Sequence, residues 1–300
     1  MSAARTTFFR RLFSTLILWA LIIGATVQGQ YIKDPSLSVL GYLALILFMA
    51  MVALYEYFHM VSEQGAPVFT LTGMICGGLY LAGSFYVQYL RDPNQGFDLE
   101  MGVLVALLFI IFSRQMFRRA ADREPLEAIA YTVFGLLYIP WLFNFVTKII
   151  FLTPPDEAGK PTGQYYLVYL ILVTKFSDMG AYVFGSLFGR HPFAPHISPK
   201  KTWEGFGGAL IASSLGSFWL YTLMPNRLSA FRFEDIAFLG LLLSVMAVVG
   251  DLAESIIKRS THAKDSSSIL PGIGGTLDLI DSLLFTAPVM YFYMRWVVGV

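Results

Sequence analysis

Runs of about 20 apolar residues, the length a helix needs to cross the hydrocarbon core of a bilayer, recur along the whole of this sequence. Nine can be drawn: Leu12 to Gln28, Leu37 to Tyr57, Val68 to Leu90, Leu99 to Phe112, Leu126 to Leu152, Tyr165 to Phe188, Phe206 to Leu223, Ile236 to Ile257 and Ser282 to Val298. Breakers such as Asp92-Pro93-Asn94, Thr153-Pro154-Pro155-Asp156 and Pro225-Asn226 separate them. The expected fold is therefore an all-α polytopic membrane protein with about nine transmembrane helices. Composition agrees, with 56% of the 300 residues hydrophobic and only 14% charged. No connection is long enough to fold as a soluble domain. The chain divides instead into residues 1–160, with about five spans, and residues 161–300, with about four spans and most of the reactive side chains. The first run follows Arg5, Arg10 and Arg11 in the manner of a signal peptide. No clear small-residue cleavage site follows it, so a retained anchor is expected, with Gly24-Ala25-Thr26 keeping cleavage open.

Orientation follows from the loop cations. With the N-terminus in the cytoplasm, thirteen fall inside: Arg5, Arg10, Arg11, Arg114, Arg118, Arg119, Arg123, Arg190, Lys200, Lys201, Lys258, Arg259 and Lys264. Five, Lys33, Arg91, Lys160, Arg227 and Arg232, fall outside, and so does the C-terminus. The loops after the sixth and eighth spans then both face the compartment that holds nucleotides. Arg114, Arg118, Arg119 and Arg123 form a basic patch with neither acids nor glycines nearby, and it reads as topology signal and lipid-surface contact. Glu56, His59 and Lys148 lie near span ends, where solvation or snorkelling accounts for them.

The net charge of +1 as a total is uninformative, and nothing marks a nucleic-acid partner. Cys76 is the only cysteine and reads as a packing residue, and His59, His191, His196 and His262 are too scattered for a zinc set. Any metal is expected to be a hard cation held by carboxylates.

The densest charge in this oily chain lies between Val249 and Asp281. Asp251 follows Gly250 just inside the end of the eighth run, where an unpartnered charge at a helix centre costs about 2.5–3.5 kcal/mol. An acid so placed is read as functional. Asp278 and Asp281 are three residues apart, on one face of the helix that opens the ninth span. Before them, Gly272, Gly274 and Gly275 form a turn whose backbone N–H groups can approach a phosphate, flanked by Lys264 and Asp265. Glu254, Lys258 and Arg259, taken singly, are equally well explained as a solvated helix end. A second cluster starts in the sixth span with Lys175 and Asp178, which can pair at i and i+3, and runs on to Ser198-Pro199-Lys200-Lys201-Thr202. Two amines and two hydroxyls beside a proline turn suit triphosphate oxygens, although a lipid-touching basic loop would look the same.

The pattern Gly250-Asp251, Ser255, Lys258-Arg259, Lys264-Asp265, Pro271-Gly272, Gly274-Gly275, Asp278 and Asp281 resembles the signature of the phosphatidate cytidylyltransferase (CDP-diacylglycerol synthase) family. The run Ser198-Pro199-Lys200-Lys201-Thr202-Trp203-Glu204-Gly205, with Asp178, Ala181 and Tyr182 before it, is similar to the same family, so the likeness covers roughly the C-terminal half. Two positions depart from the pattern: Ile273 stands where the family usually has His, and Leu279 where it usually has Arg. The resemblance implies that CTP and phosphatidate give CDP-diacylglycerol and pyrophosphate. It also implies Mg²⁺, with a second cation left open, and a homodimer. It assigns metal-ligating carboxylates to Asp251 and Asp278.

The expected site is then Asp251 and Asp278 on metal, with Asp281 and Asp265 as further acids and Lys264 beside them. Phosphates fall to Ser198, Lys200, Lys201, Thr202, Lys258, Arg259, Gly272, Gly274, Gly275 and Asp178. The short N-terminus looks like that of a bacterial inner-membrane protein. Three other readings stay open: a CTP-using enzyme of another lipid, such as a polyprenol-type kinase; a cation-coupled transporter with Asp178 and Asp251 as ion ligands; and a lipid-binding paralogue without turnover, which the departures at Ile273 and Leu279 would explain.

Overall fold

The computed structural model describes residues 35–90, 93–117, 125–154, 161–261 and 275–300. The span expected at Leu12 to Gln28 lies outside them, as do Arg118, Arg119, Arg123, Lys264, Asp265, Gly272, Ile273 and Gly274. The remaining eight runs each coincide with a helical segment long and apolar enough to cross a membrane. In order these are α1 (Pro35–Glu63), α2 (Thr70–Leu90), α3 (Pro93–Met116), α4 (Pro125–Leu136) continuing through a π-helical turn (Leu137–Trp141) into α5 (Leu142–Leu152), α6 (Gln164–Phe188), α7 (Trp203–Leu223), α8 (Phe233–Ser260) and α9 (Leu277–Tyr293) with a final π-helical turn (Met294–Val298). Helices satisfy their own backbone groups, which hydrocarbon demands. Pro140, inside the first π-helical turn, lacks the N–H that a regular helix would use there.

One short hairpin departs from the all-α expectation. β1 (Pro192–Ala194) pairs antiparallel with β2 (Ser198–Thr202), in the register Pro192 to Thr202 and Ala194 to Ser198. The start of α7 clamps it. Thr202 caps the helix by accepting the Gly205 N–H (3.1 Å). The Glu204 carboxylate accepts the N–H groups of Arg190 (3.1 Å) and His191 (3.3 Å) and meets the His191 ring at 2.6 Å.

In the C-terminal half, α6, α7 and α8 approach closely. A methyl on Gly180 would fall 2.4 Å from the Gly208 carbonyl oxygen, and one on Gly208 would fall 2.3 Å from Phe184. Small residues allow this contact where apolar burial against lipid supplies little drive. Serine hydroxyls add cross-links: Ser177 to Ser244 (2.8 Å), Ser213 to the Gly240 carbonyl (2.7 Å) and Ser217 to the Ile236 carbonyl (2.7 Å). The N-terminal half has its own polar centre, in which Glu100 accepts from Lys148 (2.8 Å), Asn144 (3.2 Å) and Ser84 (3.3 Å). Lys148 is therefore a part-buried partner of Glu100, not the snorkelling cation expected at a span end. His59 is half-exposed beside Glu63, as a span-end residue should be. Arg114 lies over the Phe69 ring at 5.0 Å and donates to Thr72, so it braces α2 against α3.

Candidate active site

Between α6, the hairpin, α7 and α8 opens a cleft of about 220 Å³. Asp178, Lys200, Lys201, Thr202 and Asp251 line it together with Tyr182, Phe193 and Phe206. The two clusters seen in the sequence thus meet across one space. Thr202 Oγ1 is engaged as the α7 cap, and Ser198 opens β2 without lining the cleft.

Asp251 is the hub. Its Oδ2 accepts from Lys201 Nζ at 3.0 Å, joining helix to hairpin, and its Oδ1 accepts from the Ser282 hydroxyl at 2.7 Å. That hydroxyl also reaches Asp281 Oδ1 at 3.2 Å, so Asp251 and Asp281 share one serine. Gly250 makes the approach possible, because a methyl there would lie 2.6 Å from the Asp281 carbonyl oxygen and 2.9 Å from Ser282 Cα. On α6, Lys175 Nζ contacts Asp178 Oδ2 at 3.0 Å, the i and i+3 pair the spacing predicts, and reaches the Leu279 carbonyl at 3.5 Å. A cation therefore stands beside the backbone of Leu279, itself buried.

Asp278 belongs to an adjoining cluster. Lys258 Nζ sits 2.5 Å from Asp278 Oδ1 and 2.9 Å from the buried Glu254. The other Asp278 oxygen accepts the Gly275 N–H at 3.0 Å. The next two N–H groups, of Thr276 and Leu277, go to the carboxylate of Glu56 at 2.9 and 2.8 Å, across 220 and 221 residues of sequence. Three successive amides at the head of α9 are thus held by carboxylates of the protein. Gly275, expected to offer its N–H to phosphate, offers it to Asp278 instead. Glu56 is 1% exposed and caps a helix, so the solvated role expected for it does not hold. Arg259 donates from Nε to the Ile197 carbonyl at 3.2 Å, which pins the hairpin turn to the end of α8.

Among the described residues no three of His, Cys, Asp and Glu form a ready-made cation cage. In kind, the donors suit a hard cation: Asp251 and Asp281 converge on one hydroxyl, Asp178 lines the same cleft, and all offer carboxylate oxygens. Ser282 and Glu56 are site residues that sequence reasoning does not find. A serine inside an apolar run carries no signal, and the partners of Glu56 are more than 200 residues away.

The profile of the cytidylyltransferase family matches residues 10–297. The phosphatidate cytidylyltransferase of Bacillus subtilis (strain 168) is 31% identical over 258 residues, covering 85% of this chain and 89% of the relative. That of Mycobacterium bovis is 33% identical over 280 residues, covering 89% and 85%. An Escherichia coli K12 protein, YnbB, described as uncharacterized, is 35% identical over 292 residues, covering 93% and 85%.

Proposed function

The chain belongs to the cytidylyltransferase family, and we propose that it transfers a cytidylyl group from CTP to phosphatidate, giving CDP-diacylglycerol and pyrophosphate at the cytoplasmic face of a bacterial inner membrane. One observation carries the reading: Lys200 and Lys201 of the hairpin face Asp178 and Asp251 of the helices across a single cleft, with Asp281 joined on through Ser282. A phosphomonoester has a second pKa near 6, so the attacking oxygen is already anionic at neutral pH and no general base is needed. The barrier lies in bringing two anions together in line and in stabilising departing pyrophosphate. Lys200 and Lys201 bind the triphosphate, and displacement of Lys201 from Asp251 onto a phosphate frees a carboxylate oxygen. Asp251 and Asp278, with Asp281 beside them, would hold Mg²⁺, which supplies charge neutralisation on the phosphate oxygens. Arg259 fixes the hairpin that presents the lysines, and Lys264 and Asp265 are assigned to the same machinery. The excess of cations in the loops at this end supports the cytoplasmic placement. A homodimer is part of the proposal.

The test is direct. Purified protein with labelled CTP, phosphatidate and Mg²⁺ is expected to form a CDP-lipid and release pyrophosphate. Release of CDP with a newly phosphorylated lipid would replace the reading with a lipid kinase. Cation flux in liposomes without CTP consumption would replace it with a transporter.

A further inference from the structure

An ammonium group near the middle of a membrane-length helix is costly unless something there needs it. Lys175 is such a group: it lies midway along α6 (Gln164–Phe188), and the chemistry set out above gives it no task. Holding α6 against α9 does not explain it. Thr174 does that next door with neutral groups, its hydroxyl donating to that of Thr286 at 3.3 Å.

What distinguishes Lys175 is what it joins. Its Nζ donates to Asp178 Oδ2 at 3.0 Å and to the Leu279 carbonyl at 3.5 Å. Three residues further along α9, the Ser282 hydroxyl donates to Asp251 Oδ1 at 2.7 Å. Asp178 and Asp251 both line the cleft, so its carboxylates are set by a single turn of α9, one through an ammonium and the other through a hydroxyl. They differ in what is left to offer. Both Asp251 oxygens are engaged, by Lys201 and Ser282. Asp178 gives Oδ2 to Lys175, and its Oδ1 makes no hydrogen bond among the described residues. Lys175 itself does not line the cleft, so it acts on the contents through Asp178. A carboxylate with one oxygen held and the other on an open cleft is a preset ligand for a hard cation, whereas one that turns freely is not.

We propose that Lys175 is a positioning residue: its ammonium fixes Asp178 so that Oδ1 takes a divalent cation shared with Asp251. The proposal rests on the cytidylyl-transfer reading for its use, and a metal-binding measurement separates the two. The experiment is a double-mutant cycle on the full chain in detergent, without nucleotide or lipid, with Mn²⁺ as the probe and the EPR signal of the free ion as the readout. Lys175→Met keeps the stem and removes the ammonium. It is expected to weaken Mn²⁺ binding about tenfold, as loss of a group that orients a metal ligand does. Asp178→Asn is expected to weaken it at least as much. In the Asp178→Asn background, Lys175→Met is expected to change the affinity by less than about twofold, since no carboxylate remains to be positioned. In turnover, the Mg²⁺ concentration that half-saturates Lys175→Met is expected to rise by a similar factor. Unchanged Mn²⁺ binding by Lys175→Met overturns the proposal, and so does tighter binding, the mark of a cation that only repels the metal. An equal loss in both backgrounds overturns it too, assigning Lys175 to helix packing, as does a wild type that binds no Mn²⁺. If Lys175→Met does not fold, Lys175→Gln, which keeps a donor and loses the charge, is read by the same criteria. A wild type that binds Mn²⁺ but forms no CDP-lipid removes the proposed function, and the cycle still decides on Lys175.

Discussion

Asp251 touches more of the proposed chemistry than any other side chain described, since Lys201 and Ser282 reach it from opposite elements. Asp251→Asn keeps the shape, and the amide can still meet Ser282, but it removes the charge that pairs with Lys201. Turnover is expected to fall on the order of 10²-fold or more, while yield and unfolding temperature stay near wild type, because the carboxylate is one-third exposed and not a core element. Steady-state CDP-lipid formation against CTP checks this, and near-normal turnover would remove Asp251 from the site. Chelation gives a parallel test: EDTA is expected to abolish activity, and Mg²⁺ to restore it. Sequence spacing suffices to find Asp251, Asp281 and Lys201, because acids and amines in an apolar chain stand out on cost alone. Ser282 escapes it, since a hydroxyl in a helix can always satisfy itself on its own backbone and gives no sign of a distant partner.

At the scale of elements, one helix contact sets the site. Where α8 meets α9, the glycine before Asp251 lets the backbones close until Ser282 reaches the carboxylate. Gly250→Ala would place a methyl 2.6 Å from a backbone oxygen, which cannot rotate aside, so the helices must part. A displacement of about 1 Å at a reacting group can cost on the order of 10²-fold in rate, and a loss of that size is expected per folded molecule. Gly207→Ala is the control, since nothing lies within 4 Å of the added methyl and alanine favours helix. That variant is expected to unfold no earlier than wild type. Eight spans were legible because each is long, apolar and bounded by breakers. The hairpin was not, since strands of three and five residues interrupted by prolines show no alternation to read.

For the molecule as a whole, the sequence gathers most of the reactive side chains in residues 161–300. Glu56 ties the earlier part of the chain to them. Its buried carboxylate, on the first described helix, holds the two amides that begin α9, immediately before Asp278 and the turn that carries Asp281 and Ser282. Nothing in the sequence near Glu56 points to this, because both partners are backbone N–H groups on another element. The anion also complements the positive end of the α9 dipole, so it sets both the position and the potential of the helix that carries Asp278 and Asp281. Glu56→Ala leaves two buried amides without acceptors, at a cost of about 1–3 kcal/mol each. Glu56→Gln keeps one oxygen but opposes the other amide with a donor, and should fall between. Both variants are expected to lower the unfolding temperature and turnover together, and to raise the Mg²⁺ concentration that half-saturates the remaining activity. That last shift is the informative quantity, because a loss of stability alone would leave it unmoved in the folded fraction. A Glu56→Ala protein that melts early yet keeps its Mg²⁺ midpoint would confine Glu56 to a structural role.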